Sequence, residues 1–226
     1  GHTCLKGRYA FKFYNHPDRL TSPLIRKNGE LTPCSWDEAL DFIKGKFETI
    51  RSEHGSDAIA GISSARCSNE ENFMFQKMIR QLVGTNNIDC CARVCHSPTA
   101  WGMQQSFGTG AGTNPATDIP LADLMIVIGA NPTAAHPVTG AKIKQQALSG
   151  AGLIVIDPVR TELARLADYH LQLKPGTNVA VLNMIQYFIV EAGLVDYDFI
   201  EERCEGGLEF IEQIKELDVD KMSKIS

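Results

Sequence analysis

Apolar side chains at Leu40, Ile43, Phe47 and Ile50 recur at the spacing of a single helical face between Ser35 and Gly55. The pattern predicts a helix over 35–55, opened by a capping box of Ser35 with Glu38 and stopped at Gly55. Asp57-Ala58-Ile59-Ala60-Gly61-Ile62 then reads as a short strand. A second capping box, Ser68 with Glu71, precedes Phe73, Met78, Ile79 and Leu82 at helical spacing, and Gly84 closes that helix. The order to this point is helix, strand, helix.

From residue 123 the periodicity changes. Leu124-Met125-Ile126-Val127-Ile128 is a continuous apolar run, the mark of a buried strand, and Gly129-Ala130-Asn131-Pro132 turns the chain after it. A helix over 138–148 and a second buried strand, Gly152-Leu153-Ile154-Val155-Ile156, complete a βαβ unit ending at Asp157-Pro158. A third strand is expected at 169–173, then a long apolar helix from Asn178 to Ala192 with its stop at Gly193. Alternation of this kind predicts an α/β fold: three αβα layers around an open, mostly parallel sheet, as in dinucleotide-binding domains. Trp36 and Trp101 are expected as core anchors, and the acidic stretch Glu201–Glu216 as a solvated helix face. Phe107–Asp118, rich in Gly, Thr and Asn, is expected to be a loop near a ligand.

Composition narrows the function. A net charge of -5 gives no electrostatic reason to expect nucleic acid or an anionic membrane as partner. No apolar run approaches the roughly 20 residues of a membrane span, and no leader is read ahead of Cys4; a cytoplasmic setting is expected, with a secretion signal left open because the N-terminus reads as missing. The chain opens at Gly1-His2-Thr3-Cys4 without a cap or strand and ends in polar helix-like sequence, the pattern expected of a segment of a larger multidomain protein. Seven cysteines, an odd number with no C-x-x-C pair, point to reduced thiols and away from a zinc site.

Candidate chemistry concentrates in two places. In Cys90-Cys91-Ala92-Arg93-Val94-Cys95-His96-Ser97-Pro98 a thiol stands beside an imidazole, with Ser97 expected as N-cap and Pro98 as the first helical residue. A thiolate near the positive end of that helix is a nucleophile or a soft metal ligand, the alternative being a packed thiol. The second place is the set of turns beyond three strand ends: Gly129-Ala130-Asn131-Pro132, Asp157-Pro158-Val159-Arg160-Thr161 and Lys174-Pro175-Gly176-Thr177-Asn178. Ligands of open parallel sheets bind there, and these residues suit a nucleotide: glycines for close backbone approach, Asp157 for a hydroxyl or base edge, Arg160 and Lys174 for charge. Neither G-x-G-x-x-G nor the P-loop pattern is present, which disfavours ordinary NAD binding and a P-loop.

In order and spacing, Cys4-Leu5-Lys6-Gly7, Ser63-Ser64-Ala65-Arg66, Gly84-Thr85-Asn86-Asn87, Cys90 through His96, Ile128 through Pro132, His136-Pro137 and Asp157-Pro158-Val159-Arg160 resemble the catalytic subunits of molybdopterin-dependent formate dehydrogenases. The resemblance implies that Cys95 binds molybdenum or tungsten and that His96 takes up the formate proton. It also implies that Cys4 is one ligand of a [4Fe-4S] cluster, whose other three would precede it, with Lys6 between cluster and pterin. Arg66, Gly129, Asn131, Asp157, Arg160, Gly176 and Asn178 match contacts to a bis(molybdopterin guanine dinucleotide) cofactor. The implied domains are 1–11 as the remnant of the cluster domain, 12–90 as part of a first αβα domain, and 91–226 as a Rossmann-like domain binding a pterin guanine dinucleotide. Implied partners are formate, the remainder of the catalytic subunit and electron-transfer subunits. On this reading the segment by itself is inactive. A cofactor-free module derived from the family, and a related reductase with another small substrate, are the competing readings.

Overall fold

The computed structural model describes residues 2–226. Its chain forms two compact units, Tyr9–Thr113 and a second in which the residues up to Arg8 join Asn114–Ser226. Two short helices begin it, α1 (Leu5–Arg8) in the second unit and α2 (Ala10–Tyr14) in the first.

Within Tyr9–Thr113, β1 (Leu24–Lys27) and β2 (Glu30–Pro33) form an antiparallel hairpin in which Lys27 stands opposite Glu30. Asn28 (φ 50°) and Gly29 (φ 88°) both take the left-handed conformation that a two-residue hairpin turn requires. Hydrophobic alternation does not reveal this hairpin, because all four residues of β2 are exposed; the Asn-Gly pair is its signal. In α3 (Trp36–His54) Ser35 Oγ accepts the Glu38 N–H at 3.2 Å, as expected. The reciprocal half of that box is replaced: the Glu38 carboxylate accepts from Lys27 Nζ at 2.7 Å.

The strand expected at 57–62 begins later. Asp57 lies in a 3-10 turn, Ser56–Ala58, where its carboxylate accepts the Thr85 hydroxyl (2.6 Å) and its carbonyl accepts Asn87 Nδ2 (2.9 Å). β3 therefore spans Gly61–Ser63, parallel to β4 (Ile88–Cys90), with Ser63 opposite Cys90. The Ser68–Glu71 capping box is complete ahead of α4 (Asn69–Lys77). Beyond Lys77 the helix widens into a π turn, Met78–Val83, and Gly84 (φ 85°) ends it. Ile79, Val83 and Ile59 form the buried centre, flanked by Phe47, Ile50 and Phe75. Trp36 and Trp101 are no anchors of it, each being 69% exposed. In α5 (Ser97–Phe107) the cap falls one residue earlier than expected: Ser97 is already helical and His96 holds the cap position, with no side-chain capping bond.

In the second unit β5 (Leu124–Ile128), β6 (Gly152–Ile156) and β7 (Tyr169–Leu171) form a parallel sheet in that order. The third strand is two residues shorter than expected. Between β5 and β6 run α6 (Pro132–Ala135) and α7 (Pro137–Leu148); α8 (Asn178–Glu191), α9 (Tyr197–Arg203), α10 (Gly207–Lys215) and α11 (Val219–Ile225) follow. Leu153, Val155 and Leu163 are fully enclosed and pack with Met125, Val127 and Ile143. Gly140 lets α7 lie directly on the start of α6: a Cβ there would stand 2.8 Å from the Thr133 Cα. The stretch 201–216 is more than a solvated face, since Ile211 and Ile214 of α10 are buried. The chain is thus an α/β protein with parallel sheets, divided between the two units.

Candidate functional site

At the carboxyl ends of β5 and β6, Ile128 lies opposite Ile156, so the turns that follow leave the sheet side by side. Gly129 (φ 56°) donates its N–H to Ile156 O at 2.9 Å, and no heavy atom lies within 4 Å of where its Cβ would be. The backbone there is open to a ligand. The Asn131 carbonyl accepts the N–H groups of Ala134 (3.1 Å) and Ala135 (2.9 Å), which starts α6, while its side-chain oxygen accepts the Thr133 hydroxyl at 2.9 Å.

Asp157 is buried at the end of β6, with one carboxylate oxygen accepting the Val159 N–H at 2.7 Å in an Asx turn. The turn is held from β7 and the residue just past it as well: His170 Nε2 is 2.9 Å from the Asp157 carbonyl, and Gln172 Nε2 donates to the Pro158 carbonyl at 2.8 Å. A carbonyl can only accept, so the His170 Nε2 carries the proton of that bond. Thr161 N–H takes the Val159 carbonyl at 2.8 Å, and Arg160 stands exposed between them. In the turn after β7, Thr177 gives both its N–H (3.2 Å) and its hydroxyl (2.7 Å) to Lys174 O; Gly176 (φ 87°) is open, and exposed Asn178 begins α8. Gly129, Asn131, Asp157 and Arg160 therefore share one end of the sheet. Sequence reasoning found no role for His170 or Gln172; their place two residues apart, at the end of the strand read next to a candidate turn, is the signal that could have found them.

Cys95, His96 and Arg66 lie in the other unit. β3 and β4 end together, the first leading into Ser64–Cys67 and the second into a 3-10 turn, Cys91–Val94, that delivers Cys95. Cys91 joins the two loops: its Sγ accepts the Ala65 N–H at 3.3 Å and the Ser64 hydroxyl at 3.9 Å, while Ser64 Oγ accepts the Arg66 N–H at 3.2 Å. These donors hold the Cys91 thiol below its ordinary range, the Ala65 N–H being the larger cause and partial burial opposing it. Cys95 and His96 are exposed; at the ends of β3 and β4, Ser63, Ser64, Asn72, Gln76, Asp89 and Cys90 border a cavity of about 370 Å³, which neither Cys95 nor His96 lines.

At the chain's start the Cys4 thiol is also held low, chiefly by the Gly7 N–H in the first turn of α1. Lys6 Nζ donates to the Ala134 carbonyl at 2.9 Å, next to the Asn131-Pro132 turn. All seven cysteines are free. Among the described residues no group of three or more His, Cys, Asp or Glu is placed to hold a metal ion, and no helix is long and apolar enough to cross a membrane.

A model of the molybdopterin oxidoreductase family matches residues 19–200. The chain is 45% identical over its whole length to the alpha subunit of F420-dependent formate dehydrogenase 1 of Methanococcus maripaludis, of which it covers 33%. It is 42% identical over 93% of its length to formate dehydrogenase H of Escherichia coli, covering 30% of that protein. Among solved structures it is similar to acetylene hydratase from Pelobacter acetylenicus, with a TM-score of 0.64 and 29% identity over 99% of this chain and 31% of that one. The chain thus spans about a third of the length of the relatives it matches.

Proposed function

Because the chain belongs to the molybdopterin oxidoreductase family, we propose that it is part of a formate dehydrogenase catalytic subunit, acting with the rest of that subunit and with electron-transfer partners. The single observation that carries this reading is its 45% and 42% identity to two formate dehydrogenases, over 226 and 217 residues. The reaction is HCOO⁻ → CO₂ + H⁺ + 2e⁻.

The residues suit a molybdenum or tungsten centre held by pterin guanine dinucleotides. When bound, that group supplies the acceptor for the two electrons. Cys95 offers it an exposed soft sulfur ligand, and the adjoining His96 imidazole has a ring nitrogen to receive the proton from formate. The open backbone at Gly129 and Gly176 allows phosphate to approach, Arg160 balances its charge, and Asp157 presents a carboxylate oxygen to the nucleoside. Asn131, Asn178 and, in its own unit, Arg66 complete the cofactor contacts. Cys4 is one ligand of a [4Fe-4S] cluster, and Lys6 lies on the electron path to it. In this scheme 1–11 belong to the cluster domain, 12–90 to a first αβα domain and 91–226 to the Rossmann-like domain.

The test uses the complete polypeptide, produced with molybdate or tungstate. Expected are bound metal and formate-dependent reduction of an artificial electron acceptor, with turnover reduced at least about a thousandfold by Cys95→Ala while the circular dichroism spectrum is unchanged. Wild-type protein free of both metals and inactive with formate would overturn the reading. The likeness to acetylene hydratase supports a second reading, a family member acting on another small substrate. Bound metal without formate oxidation would select it.

A further inference from the structure

The backbone ladder of β6 ends at the Asp157 N–H, and the next two carbonyls, of Asp157 and Pro158, would be left at the mouth of the candidate nucleotide site. Lone pairs aimed outward there would repel a phosphate. Both carbonyls are instead drawn back by side chains of the neighbouring chain segment, His170 Nε2–H on Asp157 O (2.9 Å) and Gln172 Nε2–H on Pro158 O (2.8 Å). The backbone bond from Asp157 N–H to Leu171 O (3.2 Å) lies between them. His170 on β7 and Gln172, just past its end at Leu171, thus hold two successive peptide groups of the turn. Val159 O is satisfied by the Thr161 N–H, and the Asx bond fixes one oxygen of Asp157. With both carbonyls so engaged, the second Asp157 oxygen lies outside the Asx bond and the Arg160 side chain is exposed.

We propose that His170 and Gln172 are positioning residues for nucleotide binding, acting by donating hydrogen bonds that fix the Asp157–Arg160 turn in its binding-competent form. The inference rests on the reading of this strand end as a guanine-nucleotide site. Gln172 is exposed and contributes nothing to the buried core, so its carbonyl contact is separable from folding. That makes the donor function testable by itself.

The experiment is calorimetric titration with GDP of the complete polypeptide prepared without its pterin. Removing the donor in His170→Leu or Gln172→Leu is expected to weaken GDP about three- to tenfold, the effect of one hydrogen bond. His170→Gln, which keeps an N–H of similar reach, should bind within about twofold of wild type; each thermal midpoint serves as the folding control. Should His170→Leu fail to fold, Gln172→Leu carries the test. Wild-type affinity in the folded Leu variants, or a His170→Gln as weak as His170→Leu, would overturn the positioning role. Asp157→Ala and Arg160→Ala separate the two levels of inference. If they lose GDP while the Leu variants keep it, only the positioning role fails; if wild type binds no GDP, or these variants bind it unchanged, the nucleotide reading fails and takes the inference with it.

Discussion

The sulfur of Cys91 receives two donors from a loop 26 and 27 residues earlier in the chain, and those donors favour its thiolate. A thiol pKa lowered on folding adds stability that is present above the unfolded thiol's pKa and is lost as pH falls through the folded value. Reactivity follows the same titration, because the thiolate is the nucleophile. The pH at which iodoacetamide alkylation of Cys91 reaches half its maximal rate, followed by peptide mass spectrometry, should be lower in the folded protein than in urea. Ser64→Ala should move it part of the way back, and coincident folded and urea profiles would refute the hydrogen-bonding account. From sequence, the helix after Ser97 pointed to Cys95 as the activated thiol. The pairing of β3 with β4, which sets Ser64 and Ala65 beside Cys91, is a contact that no local pattern encodes.

At the scale of elements, the close packing of α7 on α6 fixes where the Asn131-Pro132 turn sits. Gly140→Ala would put a methyl 2.8 Å from both the Cα and the backbone N of Thr133, so α6 must shift, at a cost of about 1–3 kcal/mol in urea unfolding. Gly102, inside α5, meets nothing within 4 Å, and Gly102→Ala should instead stabilise by about 0.5–1 kcal/mol. Equal midpoints for the two variants would contradict the packing argument. The elements legible in sequence are those whose apolar residues recur or run on over several positions: α3, β5, β6 and α8. The hairpin at 24–33 was hidden by its exposed second strand, and the π turn at 78–83 by its apolar helical spacing. The half-made cap of Glu38 was decided by Lys27, eleven residues away and visible only once the hairpin is folded. At the site the turns after β5 and β6 were legible as Gly-Asn-Pro and Asp-Pro punctuation. The donors that hold the second turn were not, because one sits on β7 and the other just past its end, more than ten residues along the chain.

At the scale of the whole chain, β5 read as a strand buried on both sides, yet its residues alternate: Met125 and Val127 are buried whereas Leu124 and Ile126 are 55% and 56% exposed. The unit's core therefore lies on one face of that strand. The passage from one unit to the other at Thr113 and Asn114 falls inside the Gly- and Thr-rich stretch that sequence marked as a loop, and residues 108–117 are all exposed. Backbone between two cooperative units, carrying few buried apolar contacts, opens locally at far less free energy than either core unfolds. Cleavage under native conditions follows the population of such open forms. Limited subtilisin digestion of the 226-residue chain is therefore expected to cut first within 108–117, as identified by mass spectrometry of the early fragments. A first cut inside α3, α7 or α8 would show that a helix opens more readily than the connecting stretch, and would overturn the division of the chain at Thr113.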